Sequence, residues 1–419
     1  MRALAWLNKL RRDTGGNVLI ITAAVMPLII GGAGMAIDSV QLSVWKRQLQ
    51  RAADSAAIAG AYGEAQGSVV TEAVHRDLDE NVFPTLSQAE IVEVGPRLGF
   101  NRTVYVELQT ERTVPFMSFF TGTSTTTTAP ATASLVDEGE FCMLSLYDGD
   151  DPGINANGNA TVNLGCGMAA NSVSDNSVTA GGSSAIVATP VTSVGGLNGE
   201  TENFAEGTVL RPYSAPTQDP FAGVPDPTVP SGCTTALSLG NGAEVTLNDG
   251  DCYTSWNVGN GGKLILNPGT YYVNGGDIDL HGIIESTGEG TGAVTIVMTG
   301  TETNSDGDLI VGDLKQNGGG ELHITASETG DYAGIALYRD RRANLLTVKI
   351  NGGAETTIQG AIYMPSTDLW YGGNAVTNAN CLQVVARIIT FRGGANIGNS
   401  CPPGSASQAF RQTVVRLVG

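Results

Sequence analysis

Basic residues are the first shortage. Against 41 Asp and Glu the chain of 419 residues sets only 22 Lys and Arg, for a net charge of −19. A surface of that sign repels a phosphate backbone, so nucleic acid is excluded as a partner. Histidine is nearly absent: His75, His281 and His323 are far apart in sequence, with no ligand spacing among them. No CxxC pair accompanies them, so a zinc centre has no donor set, and no G-x-S-x-G elbow marks an activated serine. Aromatics make up 6% of the chain, and only Trp256 and Trp370 of its four tryptophans lie in the C-terminal half, which is thin for stacking sugars. These shortages favour a non-enzymatic chain that needs no cofactor.

What is present begins with a run of twenty residues free of charge, Val18 to Ile37. That is the length of a bilayer-spanning helix, and a lipid bilayer is the first partner expected. Arg2, Lys9, Arg11 and Arg12 precede it against Asp13, which predicts a cytoplasmic N-terminus and export of the bulk. The run exceeds a signal-peptide core, so an uncleaved anchor is expected rather than a leader cut near Gly34 and Ala36. Beyond Asp38, which ends the run, no Gly or Pro appears until Gly60, so the helix is expected to continue. Ala52, Ala56 and Gly60 recur every fourth place, as do Ala53, Ala57 and Ala61. Small residues so spaced let another helix approach closely, although the same composition also suits a plain Ala-rich stem.

Several features occur here in order: Gly16-Asn17, Pro27 inside the apolar run, the Gly31–Gly34 cluster, Ala36-Ile37-Asp38, Arg47, Leu49-Gln50, Ala52-Ala53-Asp54, and Ala56-Ala57 through Ala61. Together, over about residues 14–61, they resemble the N-terminal segment of TadE/TadG-like proteins of the Flp (tight adherence, Tad) pilus-assembly system. The resemblance implies an inner-membrane, periplasm-facing accessory whose helix meets other pilus-assembly proteins, with Asp38, Ala52, Asp54, Ala56 and Gly60 as its packing positions. No Glu stands five places after Gly15 or Gly16, where pilin-like members carry one beyond their cleavage site. Some TadG-like proteins also carry a von Willebrand A domain, whose D-x-S-x-S metal motif is missing here.

Three domains are expected. Residues 1–61 form the stub, anchor and continuing helix. Residues 62–139 form a small α+β unit, with a helix over Thr71–Asn81 and a strand placing Val104, Val106 and Leu108 on one face. The run Pro115–Phe120 reads as core, with a partner or the membrane surface as the alternative. From residue 140 to 419 a phrase of Gly/Asn turn followed by alternating strand recurs at Asn157, Asn241, Asn260, Gly318, Asn351 and Gly393. The chain as a whole therefore reads as mainly β, and this part as a parallel β-helix-like solenoid of about twenty residues per coil, with an antiparallel β-sandwich as the alternative. Six prolines between Gly195 and Gly232 break the pattern, as an excursion over the solenoid or a linker. Gln408–Val418 is expected to cap one end.

Cys142, Cys166, Cys233, Cys252, Cys381 and Cys401 fall as neighbours separated by 24, 19 and 20 positions. Fifteen connectivities exist for six cysteines, and pairing of neighbours is the natural one. Disulfides fit an oxidising compartment such as the periplasm. The candidate acids for chemistry are Asp277 and Asp279, two apart on a strand, and Asp306, Asp308 and Asp313. Asn304–Asp308 looks like a calcium loop without the closing Glu. The leading function is thus a membrane-anchored pilus-assembly scaffold. The alternatives are an anchored β-helix that binds or cleaves polysaccharide, and a surface adhesin.

Overall fold

The computed structural model describes residues 17–80, 89–240, 242–288, 292–316, 318–351, 355–373, 376–379, 381–399 and 410–419. Two compact units emerge, residues 1–136 with 413–419, and residues 137–412. The structure is mainly β with one long apolar helix.

In the first unit helix α1 (Asn17–Ala65) runs unbroken through Pro27. Its apolar portion is largely exposed, as at Ile20, Leu28 and Ile30, and it is long and apolar enough to cross a membrane. From Leu49 onward one face turns inward. It packs on α2 (Val70–Glu80) and on an antiparallel sheet of β1 (Ala89–Arg97), β2 (Phe100–Arg112) and β3 (Thr125–Ser145). Leu98 and Gly99 join β1 to β2 with φ of 54° and 85°, the two positive values a type I′ hairpin needs. The alternation on β2 buries Val104, Val106 and Leu108, while β3 contributes Ala129, Ala131 and Ala133. Helix α3 (Pro115–Thr121) lies between β2 and β3 in sequence.

The C-terminal strand Phe410–Leu417 is divided between the two units. Its end belongs to the first unit, where Val418 N–H donates to the Thr132 carbonyl at 2.9 Å and Thr132 N–H to Gly419.

Among the described residues, strand pairing between Phe141 and Asn399 is parallel wherever two named strands meet, which is not the pairing of an antiparallel sandwich. The strands build three ladders. In one, Leu237 stacks on Trp256, Trp256 on Ile278, Ile278 on Leu314, and the row continues through Leu369 and Ile389 to Ile154 and Val178. A second runs from Val245 through Leu264, Ile284 and Leu322. The third runs from Tyr272 through Val297, Tyr338, Tyr363 and Val385 to Leu144 and Ala169. Inward residues of successive rungs form one continuous apolar core, with Tyr371 stacked on Phe391 at 5.2 Å.

The order of rungs departs from chain order. The strand at Val384–Ala386 pairs with Met143–Ser145, and that strand pairs with Met168–Ala170. The last of these strands therefore seats against the first, and the strands through Arg211 extend the ladder beyond it. The chain must then travel back along the ladder to begin again at Leu237. The Pro-rich segment makes that journey. Arg341 donates to the carbonyls of Phe221, Ala222 and Val224 at 2.9–3.0 Å, Arg342 donates to Pro227 at 3.1 Å, and Tyr363 donates to Asp219 at 2.7 Å. Proline suits this path because it needs no ladder partners.

At one corner the turn glycines stack. Gly158, Gly182 and Gly393 all have φ between 65° and 76°. A Cβ on Gly158 would come within 3.1 Å of the Gly393 nitrogen, and one on Gly182 within 3.1 Å of the Gly158 carbonyl. Positive φ and backbone contact together account for the recurring glycine.

Disulfides join Cys142 to Cys166 and Cys233 to Cys252, with Cα atoms 6.0 and 5.0 Å apart. The expected partner of Cys381, Cys401, lies outside the described residues.

Candidate membrane-anchoring and helix-packing site

Ala52, Ala56 and Gly60, singled out along α1, lie on one stripe, while Asp54 lies off it, and the stripe is covered by the chain's own first unit. Ala52, Ala53, Ala56, Ala57 and Ala61 are buried against Val104, Leu108, Ala131 and Val74 of the same unit. Gly60 is required by contact: a Cβ there would lie 2.8 Å from Val74 Cγ2 and 2.9 Å from Val104 Cγ1. Gly63 allows Ala73 the same approach at 2.8 Å. The small-residue ridge expected to receive a neighbouring helix is thus filled from within the chain. Small side chains at a four-residue spacing permit close approach of any flat surface, and here an Ala-lined sheet and α2 supply it.

The polar positions lock that packing. Gln50 Nε2 donates to Asp54 Oδ1 and to the Pro130 carbonyl, both at 2.8 Å, so Asp54 orients the amide that ties α1 to β3. Ser55 donates to Asp77 Oδ1 at 2.9 Å, joining α1 to α2. Arg102 pairs with Glu64 at 3.1 Å, and the Arg112 guanidinium sits 5.2 Å from the Trp45 ring.

Asp38 has a separate task. Its carboxylate, 2% exposed, accepts from Met117 N–H at 2.6 Å and from Phe116 N–H at 3.2 Å. Helix α3 has no side-chain cap of its own, because Val114 stands at its N-cap. The acid that ends the apolar run therefore closes the N-terminus of α3 from another helix, where a negative charge is favoured. One turn earlier the Phe116 ring covers Gly34 so closely that a Cβ there has no room. Sequence reasoning found Asp38 and the Gly31–Gly34 cluster but not this partner, which lies 78 positions away. The Pro115–Phe120 run, expected as core, is instead a helix with no buried residue, and Phe119 and Phe120 are 82% and 70% exposed.

Two of the second unit's candidate acids, Asp277 and Asp279, are engaged by charged neighbours, whereas Asp313 Oδ1 is buried without a hydrogen-bond partner among the described residues. Asp279 lies 3.2 Å from His281, and His323 lies 3.2 Å from Glu321. Lys315 donates to Asp277, and Asp313 N–H donates to Asp277 Oδ1 at 2.8 Å. Burial pushes the Asp277 carboxyl up, but that N–H and the ammonium more than offset it and hold it below the ordinary range. Burial first, then the Asp277 charge, raise Asp313. Asp313 of the next rung is thus brought beside Asp277, a neighbour far from it in sequence. Asn304 Oδ1 accepts from the N–H groups of Asp306 and Asp308 at 2.9 Å, an Asx turn that stabilises the loop without an ion. Among the described residues no group of three or more His, Cys, Asp or Glu is placed to hold a metal.

Residues 16–64 match the family model described as putative Flp pilus-assembly TadE/G-like. That segment covers nearly all of α1 and carries both the apolar run and the buried ridge. No curated protein and no solved structure matches the chain.

Proposed function

We propose, with that match as premise, that the chain is a membrane-anchored, non-enzymatic scaffold of Flp/Tad pilus assembly. The observation that carries this reading is the coincidence of the matched segment with one unbroken helix. Its first part, α1 to Ile37, is apolar on every side, and its continuation forms the core of a small helix-on-sheet domain. The anchor and the domain it organises are one element, which suits a part that must hold an extended module at a fixed place on a membrane.

In this reading residues 137–412 form a closed, three-faced β-helix-like solenoid whose long sides serve as contact surfaces for other pilus-assembly proteins. Positive charge before Val18 favours a cytoplasmic N-terminus and an inner-membrane anchor. The bonds Cys142–Cys166 and Cys233–Cys252 favour an oxidising compartment for the rest, the periplasm. Of the acids that would suit a catalyst, Asp277 is engaged by Lys315 and Asp279 by His281.

A phosphatase fused after Gly139 tests the topology. Activity in a host that reports periplasmic location supports the reading. An inactive phosphatase with an active cytoplasmic reporter at the same site overturns it.

A further inference from the structure

Helix α3 is unlike an ordinary surface helix. Its sequence, PFMSFFT, has no charge, and none of its side chains is buried. Phe116 and Phe120 lie 5.1 Å apart between ring centroids, and Phe119 meets Phe120 edge-on at 5.3 Å. Phe119, Phe120 and Met117 are all exposed. An exposed aromatic cluster of this kind marks a surface that something apolar covers.

Its position indicates what that is. The Phe116 ring lies on Gly34, in the last turn of the apolar run, and the Asp38 carboxylate holds the first N–H groups of α3. The cluster is therefore fastened to α1 where the apolar run ends, continuous with the surface that a bilayer would cover. Helices that lie in the membrane interface bury Phe, Trp and Leu to that depth, at the boundary of headgroups and acyl chains. Asp38 is compatible with the location because its charge is turned into α3 and satisfied there.

We propose that α3 lies in the headgroup region of the bilayer, with Phe116, Phe119 and Phe120 reaching the acyl boundary as a second membrane contact beside the span. The contact fixes how α1 tilts and rotates against its sheet. It is apolar in origin, because α3 carries no basic residue, and so it is independent of anionic lipid. The proposal rests on reading α1 as a membrane span.

Photo-crosslinking of the full chain in phosphatidylcholine vesicles tests it, with benzoylphenylalanine placed singly at Ile29, Phe119, Phe120 or Val69. Val69 follows the far end of α1, about 40 Å beyond Asp38 at the rise of an α-helix, and is exposed. Mass spectrometry should find phospholipid adducts at Ile29, Phe119 and Phe120 and none at Val69, with yields unchanged when anionic lipid is added. Lipid adducts at Ile29 but none at Phe119 and Phe120, or only protein adducts there, overturn the proposal and leave the span intact. Absence of lipid adducts at Ile29 removes the span itself, and the proposal with it.

Discussion

The Asp38 carboxylate and the Met117 N–H meet at 2.6 Å, so the residue that ends the apolar run of α1 also caps a helix 79 positions later. Charge-assisted bonds of this type contribute about 1.5–3 kcal/mol each when buried. Asp38→Ala should therefore loosen α3 selectively. Hydrogen exchange at Phe116 and Met117 should rise sharply while Val104 and Val106 stay protected. Equal exchange in both proteins would remove the capping role.

Ala56 and Gly60 bear on the first unit's own stability. Treated as an exposed stem, α1 should accept Ala56→Leu, since Leu is a good helix former. The buried ridge reverses that expectation. Overpacking of this kind costs about 1–3 kcal/mol, so Ala56→Leu and Gly60→Leu should increase limited proteolysis between residues 62 and 135 in detergent. Unchanged resistance would mean that the ridge is free for a partner.

Much of this was legible in the sequence. The unbroken charge-free run gave the long apolar helix, the alternation at Val104–Leu108 gave the inner face of β2, and the Gly/Asn phrase gave the short strands of the second unit. The order of the coils was not legible, because the pairing of Val385 with Leu144 joins positions with no local relation. The use of Ala52–Gly60 was also hidden. A small-residue spacing states that something approaches closely, but not whether it is a helix of another chain or a sheet of the same one. The role of Pro115–Phe120 depended on its contact with Gly34, again a long-range fact.

Arg341 pins the Pro-rich return segment through three backbone carbonyls. Arg341→Ala should release residues 214–232, visible as new cleavage by a nonspecific protease in that interval, with the ladders preserved by far-ultraviolet circular dichroism. Cleavage indistinguishable from the parent would show that the segment is held by other means.

Asp340 is fully buried. Burial pushes its carboxyl up, but the bonds from Arg342 and from Thr299 at 2.7 Å outweigh this and hold it below the ordinary value of 3.8. A carboxyl lowered by folding adds stability that is fully present above its unfolded value and is lost as pH falls through the folded one. The parent should therefore lose thermal stability as pH drops below about 4, and Asp340→Asn should be less stable at neutral pH with a shallower acid slope. An unchanged slope would assign the acid sensitivity to other carboxyls.

The central claim is that the chain supports pilus assembly as a structural part without catalysis. Pili counted by electron microscopy, in a strain lacking the chain and complemented with variants, test it most directly. The account predicts loss of pili without the chain and full restoration by the triple variant Asp277→Asn, Asp279→Asn, Asp313→Asn at normal expression. Pili that persist without the chain, or a stably folded triple variant that fails to restore them, would contradict it.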